Sequence, residues 1–227
     1  MEIILNKFQN LRCKSLFPTR QIKNIKTNVA ELDTLIGGGI PQGNILELVG
    51  APDTGKTKLI FDIIEKSKDQ EMIIAYIATS TKSLAFLEAR RLKDNSNLIL
   101  YISNDEENII NYIKETINIV DLYIIDSIAE IVTINEKDGF DLNENQNMPK
   151  LMSILNGLLY GEKSALIAVN YITFKDNKEV SRWRNIFEQY CSIRVELDEM
   201  NQCKLLSHKH NPSLVRKEVK TNELRMG

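Results

Sequence analysis

The run Gly50-Ala51-Pro52-Asp53-Thr54-Gly55-Lys56-Thr57 fits the pattern G-x-x-x-x-G-K-[ST] at each fixed position, and that pattern has few structural solutions. Glycines at its two ends let the backbone turn successive N–H groups inward, and a helix starting at the lysine adds its positive end. The loop must therefore join a strand to a helix, and its flanks obey. NILELV, at 44–49, is a short apolar run, and Lys56–Lys66 carries Leu59, Ile60, Ile63 and Ile64 at helical spacing. Gly50, Ala51, Pro52, Asp53, Thr54, Gly55, Lys56 and Thr57 are expected to cradle a nucleoside triphosphate. Lys56 would reach the β- and γ-phosphates, and the Thr57 hydroxyl would sit on Mg²⁺.

Beyond the loop, apolar runs alternate with helical patterns. MIIAYIAT at 72–79 precedes a helix expected at about 82–92, and NLILYIS at 97–103 precedes DEENIINYIKETI, whose early acids suit the positive end of a helix. DLYIIDSI at 121–128 leads to the helix PKLMSILNGLL and then to SALIAVNYI at 164–172. This order predicts an α/β fold, a mostly parallel sheet with helices on both faces. SIRVELDEM and QCKLLSHKH, at 192–209, add a C-terminal antiparallel hairpin closed by a Met-Asn turn. Two polar segments, 134–147 and 173–182, follow core strands at the edge where open α/β sheets bind ligands, and are expected to be loops of a binding face.

Asp126 ends the apolar run LYIID, where a carboxylate can hold magnesium through water beside the phosphate loop. Hydrolysis needs one group more, a base or orienting residue opposite the γ-phosphate. The natural place is the tip of the neighbouring strand, which reads AYIATST and contains no carboxylate. Glu130 lies past the magnesium aspartate and is expected to face away.

Charge bears on partners. Residues 1–30 carry a net +5 and residues 202–227 a net +4, which leaves −11 between them. Basic ends on an acidic body fit a polyanion-binding face, or simply solvated termini. The first polar segment is itself acidic, with Glu136, Asp138, Asp141 and Glu144 against Lys137. The second offers Lys175, Lys178, Arg182 and Arg184, flanked by Phe174 and Trp183, a mixture that can track a single strand while stacking bases. Trp183 fits equally well as an anchor of the segment onto the core. Cys13, Cys191 and Cys203 are widely spaced and read as reduced thiols, and neither a signal peptide nor an uninterrupted apolar span is visible, so a cytoplasmic protein with no membrane partner is expected.

The run TNVAELDTLIGGGIPQGNILELVGAPDTGKT, from Thr27 to Thr57, resembles the opening of the RecA-type recombinase core, and the likeness continues through AYIAT, YIIDS, MPKLMSIL, IAVN and CSIRVEL. The chain is similar in plan to the minimal RadB-like members. The resemblance implies a basic N-terminal segment at 1–26, a RecA-like ATP-binding core at 27–212 and a basic tail at 213–227. It also implies ATP and Mg²⁺ as ligands, assembly with itself or with related recombinase subunits, and DNA recombination or repair in a DNA-containing compartment. The segments 134–147 and 173–182 become counterparts of the two DNA-facing loops, and the edge bearing His208, Lys209 and His210 faces a neighbour's nucleotide. Members that hydrolyse ATP carry a glutamate where Ser80 stands here and a glutamine where Tyr171 stands. The expectation is an accessory paralogue that binds single-stranded DNA and hydrolyses ATP weakly or not at all. The alternative is a nucleotide-dependent assembly switch that does not bind DNA.

Overall fold

In the computed structural model, residues 23–80, 95–131, 134–135, 139–140, 144–175, 178–181 and 183–216 are described. The elements run β1 (Asn24–Ile25), α1 (Ala30–Leu35), β2 (Ile40–Pro41), β3 (Ile45–Gly50), α2 (Lys56–Lys66), β4 (Ile74–Ala78), β5 (Leu98–Ile102), α3 (Glu106–Thr116) and β6 (Leu122–Asp126). A short 3₁₀ turn, Ile128–Glu130, follows, then β7 (Ile134–Asn135), β8 (Gly139–Phe140), α4 (Glu144–Leu159), β9 (Ala165–Lys175), β10 (Lys178–Ser181), α5 (Arg184–Tyr190), β11 (Ile193–Leu197) and β12 (Cys203–His208). The helix expected at 82–92 lies outside the described residues.

The main sheet has eight strands, in the order β12-β11-β3-β9-β6-β4-β5, with β10 paired to β9. From β11 across to β5 every neighbour is parallel, while β12 and β10 are antiparallel additions. Successive side chains of a strand go to opposite faces, so each interior strand must be apolar on both. Leu46, Leu48, Tyr76, Ile124, Ile167 and Val169 face α2, through its Leu59, Ile60, Ile63 and Ile64. Ile45, Ala75, Ile77, Ile125 and Ala168 face the other way, against Ile109 and Ile113 of α3, Leu151 and Leu155 of α4, and Phe187 of α5. Helices thus cover both faces, and the antiparallel hairpin closes the sheet as the sequence implies.

Two differences have simple causes. α4 begins at Glu144 and takes Pro149 inside it, whereas the sequence reading starts the helix at that proline. The polar segment 173–182 is partly a hairpin: β9 continues to Lys175 and β10 returns, pairing Lys178 with Lys175 and Ser181 with Ile172. Alternation weakens there, and the strands are seen in their pairing. At the margins, β1 lies before Thr27, and Leu214 packs on the core beyond residue 212.

Candidate nucleotide site

The loop between β3 and α2 is built as its sequence requires. Gly55 has φ of 87°, a left-handed conformation that glycine adopts without penalty. A Cβ on Gly50 would stand 2.4 Å from the Leu197 carbonyl oxygen, so β11 could not pack as closely against any other residue. The Thr54 hydroxyl donates to the Ala51 carbonyl at 2.9 Å and closes the turn. Lys56 is 4% exposed, and its ammonium donates to the carbonyls of Gly50 at 2.9 Å and Ala51 at 2.6 Å. Burial lowers its pKa to about 8, against the upward pull of Asp126 and Asp53.

Asp126, at the carboxyl end of β6, is the second centre. Its Oδ2 accepts from the Thr57 hydroxyl at 3.1 Å and from the Tyr76 hydroxyl at 2.9 Å. Tyr76 shares the sheet face of Asp126 and is fully buried beneath it, its ring against Phe61. Burial pushes the Asp126 carboxyl up, the Tyr76 and Thr57 hydrogen bonds pull it down, and the charge of Glu130 adds to the rise. The site thus sets a poorly solvated ammonium beside a poorly solvated carboxylate. Phosphate oxygens against Lys56 and a divalent cation between Thr57 and Asp126 would each replace lost solvation, so these residues fit both a triphosphate and magnesium. Among the described residues no group of three or more His, Cys, Asp or Glu is placed to hold a metal ion.

Tyr171 lies opposite Gly50 in the pairing of β9 with β3, and its ring centroid is 5.1 Å from the Lys56 nitrogen, within cation–π range. Burial pushes its phenol up, and the charges of Glu130 and Asp126 add to the shift. Ser80 follows Thr79 just beyond β4 and is half-buried. Glu130 does not face away. The Thr79 hydroxyl lies 3.2 Å from Glu130 Oε2 and 3.0 Å from the Ser127 carbonyl, while it accepts the Ser127 N–H at 2.7 Å. The 3₁₀ turn after β6 brings the glutamate back over the strand ends, which residue spacing counted along a continuing strand does not anticipate.

On the opposite sheet face, Glu47 and Arg194 occupy directly paired positions of β3 and β11, and both are buried. The Arg194 Nε donates to Glu47 Oε2, Asn170 donates to Glu47 Oε1 at 2.7 Å, and Arg194 Nη1 reaches Glu188 at 3.0 Å. Charged residues inside the apolar runs ILELV and IRVEL were the available signal, and pairing register made Glu47 and Arg194 meaningful. Glu188 also takes Arg184 at 2.7 Å. Of the four basic residues assigned to DNA, Arg184 is exposed and lines a cavity of about 410 Å³ with Arg194, Glu196 and Lys209. Lys175 and Lys178 end the paired strands β9 and β10, and Arg182 lies outside the described residues.

His208 is structural. It is buried, its Nε2 lies 3.1 Å from the Ile36 carbonyl and its Nδ1 accepts the Asn211 N–H at 3.0 Å, so β12 is pinned to α1 through this ring. Burial lowers its pKa. His210 Nε2 meets the side-chain oxygen of Asn44 at 3.0 Å, and Lys209 donates to the Gln189 carbonyl. Among the described residues no helix is long and apolar enough to cross a membrane.

The RecA N-terminal domain family matches residues 10–224. The chain is 28% identical over 196 residues to Protein RecA of Wolinella succinogenes, an alignment covering 79% of this chain and 55% of that protein. It is 29% identical over 197 residues to Protein RecA of Wigglesworthia glossinidia brevipalpis, covering 81% of this chain and 59% of the relative. With the plasmid Protein RecA of Lactococcus lactis subsp. lactis the identity is 27% over 190 residues, covering 79% and 55%. The chain spans about half the length of the curated relatives it matches.

Proposed function

The chain belongs to the RecA family, and from that premise we propose that it binds ATP with Mg²⁺ and acts in DNA recombination or repair as an accessory paralogue that binds single-stranded DNA and hydrolyses ATP weakly. One observation carries the reading: Lys56, Thr57 and Asp126 come from α2 and β6 to a single point at the carboxyl edge of a parallel sheet, where such folds bind nucleotide. The loop residues Gly50 to Thr57 hold the phosphates. Thr57 and Asp126 hold the metal. Ser80 and Tyr171 stand where a carboxylate and an amide serve hydrolysing members, which supports slow turnover. We place the protein in the cytoplasm with the DNA, as an oligomer of itself or with related subunits, and place the core at 27–212, with β1 and Leu214 of the flanking basic segments 1–26 and 213–227 packed onto it.

Lys175, Lys178, Arg182 and Arg184 are the proposed DNA contacts. In fluorescence anisotropy with a labelled single strand and ATP, affinity is expected to fall steeply with salt. Changing the four to glutamine is expected to reduce the logarithmic salt slope by about 3, at about 0.7 per phosphate contact on single strands. Undetectable or salt-insensitive binding counts against the DNA role. The pairing of Arg184 with Glu188 and the acidic 134–147 segment favour one other reading, an ATP-dependent assembly switch without DNA. Light scattering with and without ATP, in the absence of DNA, separates the two.

A further inference from the structure

Attack of water on a γ-phosphate requires a group that orients the water and accepts its proton, and a carboxylate suits that task. The strand tip beside the phosphate loop carries Thr79 and Ser80 instead. Thr79 nevertheless brings a carboxylate there, because its hydroxyl lies 3.2 Å from Glu130 Oε2. The position is held from both sides. The Thr79 hydroxyl accepts the Ser127 N–H at 2.7 Å, and Ser127 directly follows the metal-site Asp126, so the 3₁₀ turn carrying Glu130 is fastened to the end of β4. Glu130 is half-buried, so one side of it remains open to water, and its charge is felt by both Asp126 and Tyr171, the residues that flank Lys56. One sheet edge therefore presents the ammonium of Lys56 and the carboxylates of Asp126 and Glu130.

We propose that Glu130 is the catalytic carboxylate of this chain, supplied from the turn after β6 to the position that Ser80 leaves without one. The inference rests on the proposed binding of ATP at the phosphate loop. In the step it serves, a water oxygen bonds to the γ-phosphorus as the bond from that phosphorus to the β-γ bridging oxygen breaks. ADP leaves with the bonding pair, and the water proton passes to Glu130 and from there to the released phosphate. Tyr171, with its ring over Lys56, covers the site on the β9 side.

A glutamate whose only task is to receive the Thr79 hydroxyl would be replaced without loss by glutamine, whose amide oxygen accepts the same hydrogen bond. Glu130→Gln therefore separates the roles, with Glu130→Ala as a second variant and circular dichroism as the check on folding. Phosphate release by the full chain with Mg²⁺ and ATP is expected to be slow in the wild type and to fall by about 10²-fold or more in both variants, the usual contribution of a positioned acid–base group. Affinity for a fluorescent ATP analogue is expected to be retained. Affinity for ADP with aluminium fluoride, which mimics the phosphoryl group in transfer with water in line, is expected to weaken. Glu130→Gln that releases phosphate as fast as the wild type overturns the inference. So does a wild type that binds the analogue but releases no more phosphate than Lys56→Ala, an outcome that leaves ATP binding intact. A wild type that fails to bind the analogue overturns the nucleotide reading itself.

Discussion

Replacing Arg194 with leucine is expected to destabilise the protein by about 3–5 kcal/mol, the usual consequence of removing one partner of a buried ion pair. Arg194 is 3% exposed and Glu47 is 0% exposed, so water cannot take over the solvation of the orphaned carboxylate. Asn170 would still donate to Glu47 Oε1, but a neutral donor does not replace the guanidinium charge beside a buried carboxylate. The pair also joins β11 to β3 at the strand that carries the phosphate loop. In thermal unfolding the loss is expected as a drop of about 6–20 °C, at about 2–4 °C per kcal/mol for a domain of this size. Adding Glu47→Leu to Arg194→Leu should restore part of it, because the second change removes the uncompensated charge. A single variant as stable as the wild type would show that the pair contributes little to the fold.

Asp126→Asn is expected to act in opposite directions on stability and on ligand binding. The Thr57 and Tyr76 hydroxyls both donate to the same oxygen, Oδ2, so an asparagine oxygen can accept both. The buried negative charge disappears. Since burial raises the folded-state pKa of Asp126 above its unfolded value, the folded state holds the proton more tightly. The carboxylate thus lowers stability progressively as pH rises from the ordinary carboxylate range through the folded pKa, and the full penalty is present above it. At neutral pH the nucleotide-free variant should melt higher than the wild type, and that part of its pH dependence should vanish. Magnesium-supported ATP binding should weaken by about 10–100-fold, the range for losing a group that orients a metal's shell. A variant with unchanged magnesium dependence would remove Asp126 from the metal site.

Much of the fold was legible because its signals are local. The phosphate loop fixes a strand, a turn and a helix between Ile45 and Lys66, and α2 begins and ends where its apolar spacing implies. Strands buried on both faces announce themselves as unbroken apolar runs. The β9–β10 hairpin did not, since its strands are made by pairing, which spacing does not encode. The same distinction divides the site. Lys56, Thr57 and Asp126 were readable from motif and strand order. Tyr76, Glu130 and the Glu47–Arg194 pair were not, because each depends on which residues of distant segments share a register or a face. Glu130 was misjudged for a specific reason: a 3₁₀ turn follows Asp126 in place of a continuing strand and sets Glu130 beside Thr79.

The account rests on a loop that holds a triphosphate through Lys56, and calorimetric titration of the full chain with ATP and Mg²⁺ tests it directly. The wild type is expected to bind one ATP per chain in a magnesium-dependent manner. Lys56→Ala is expected to lose about two orders of magnitude in affinity, in line with about 2–5 kcal/mol for a buried charge-assisted contact. A wild type that releases no binding heat and shows no thermal stabilisation by ATP, or a Lys56→Ala variant that binds as tightly as the wild type, would contradict it.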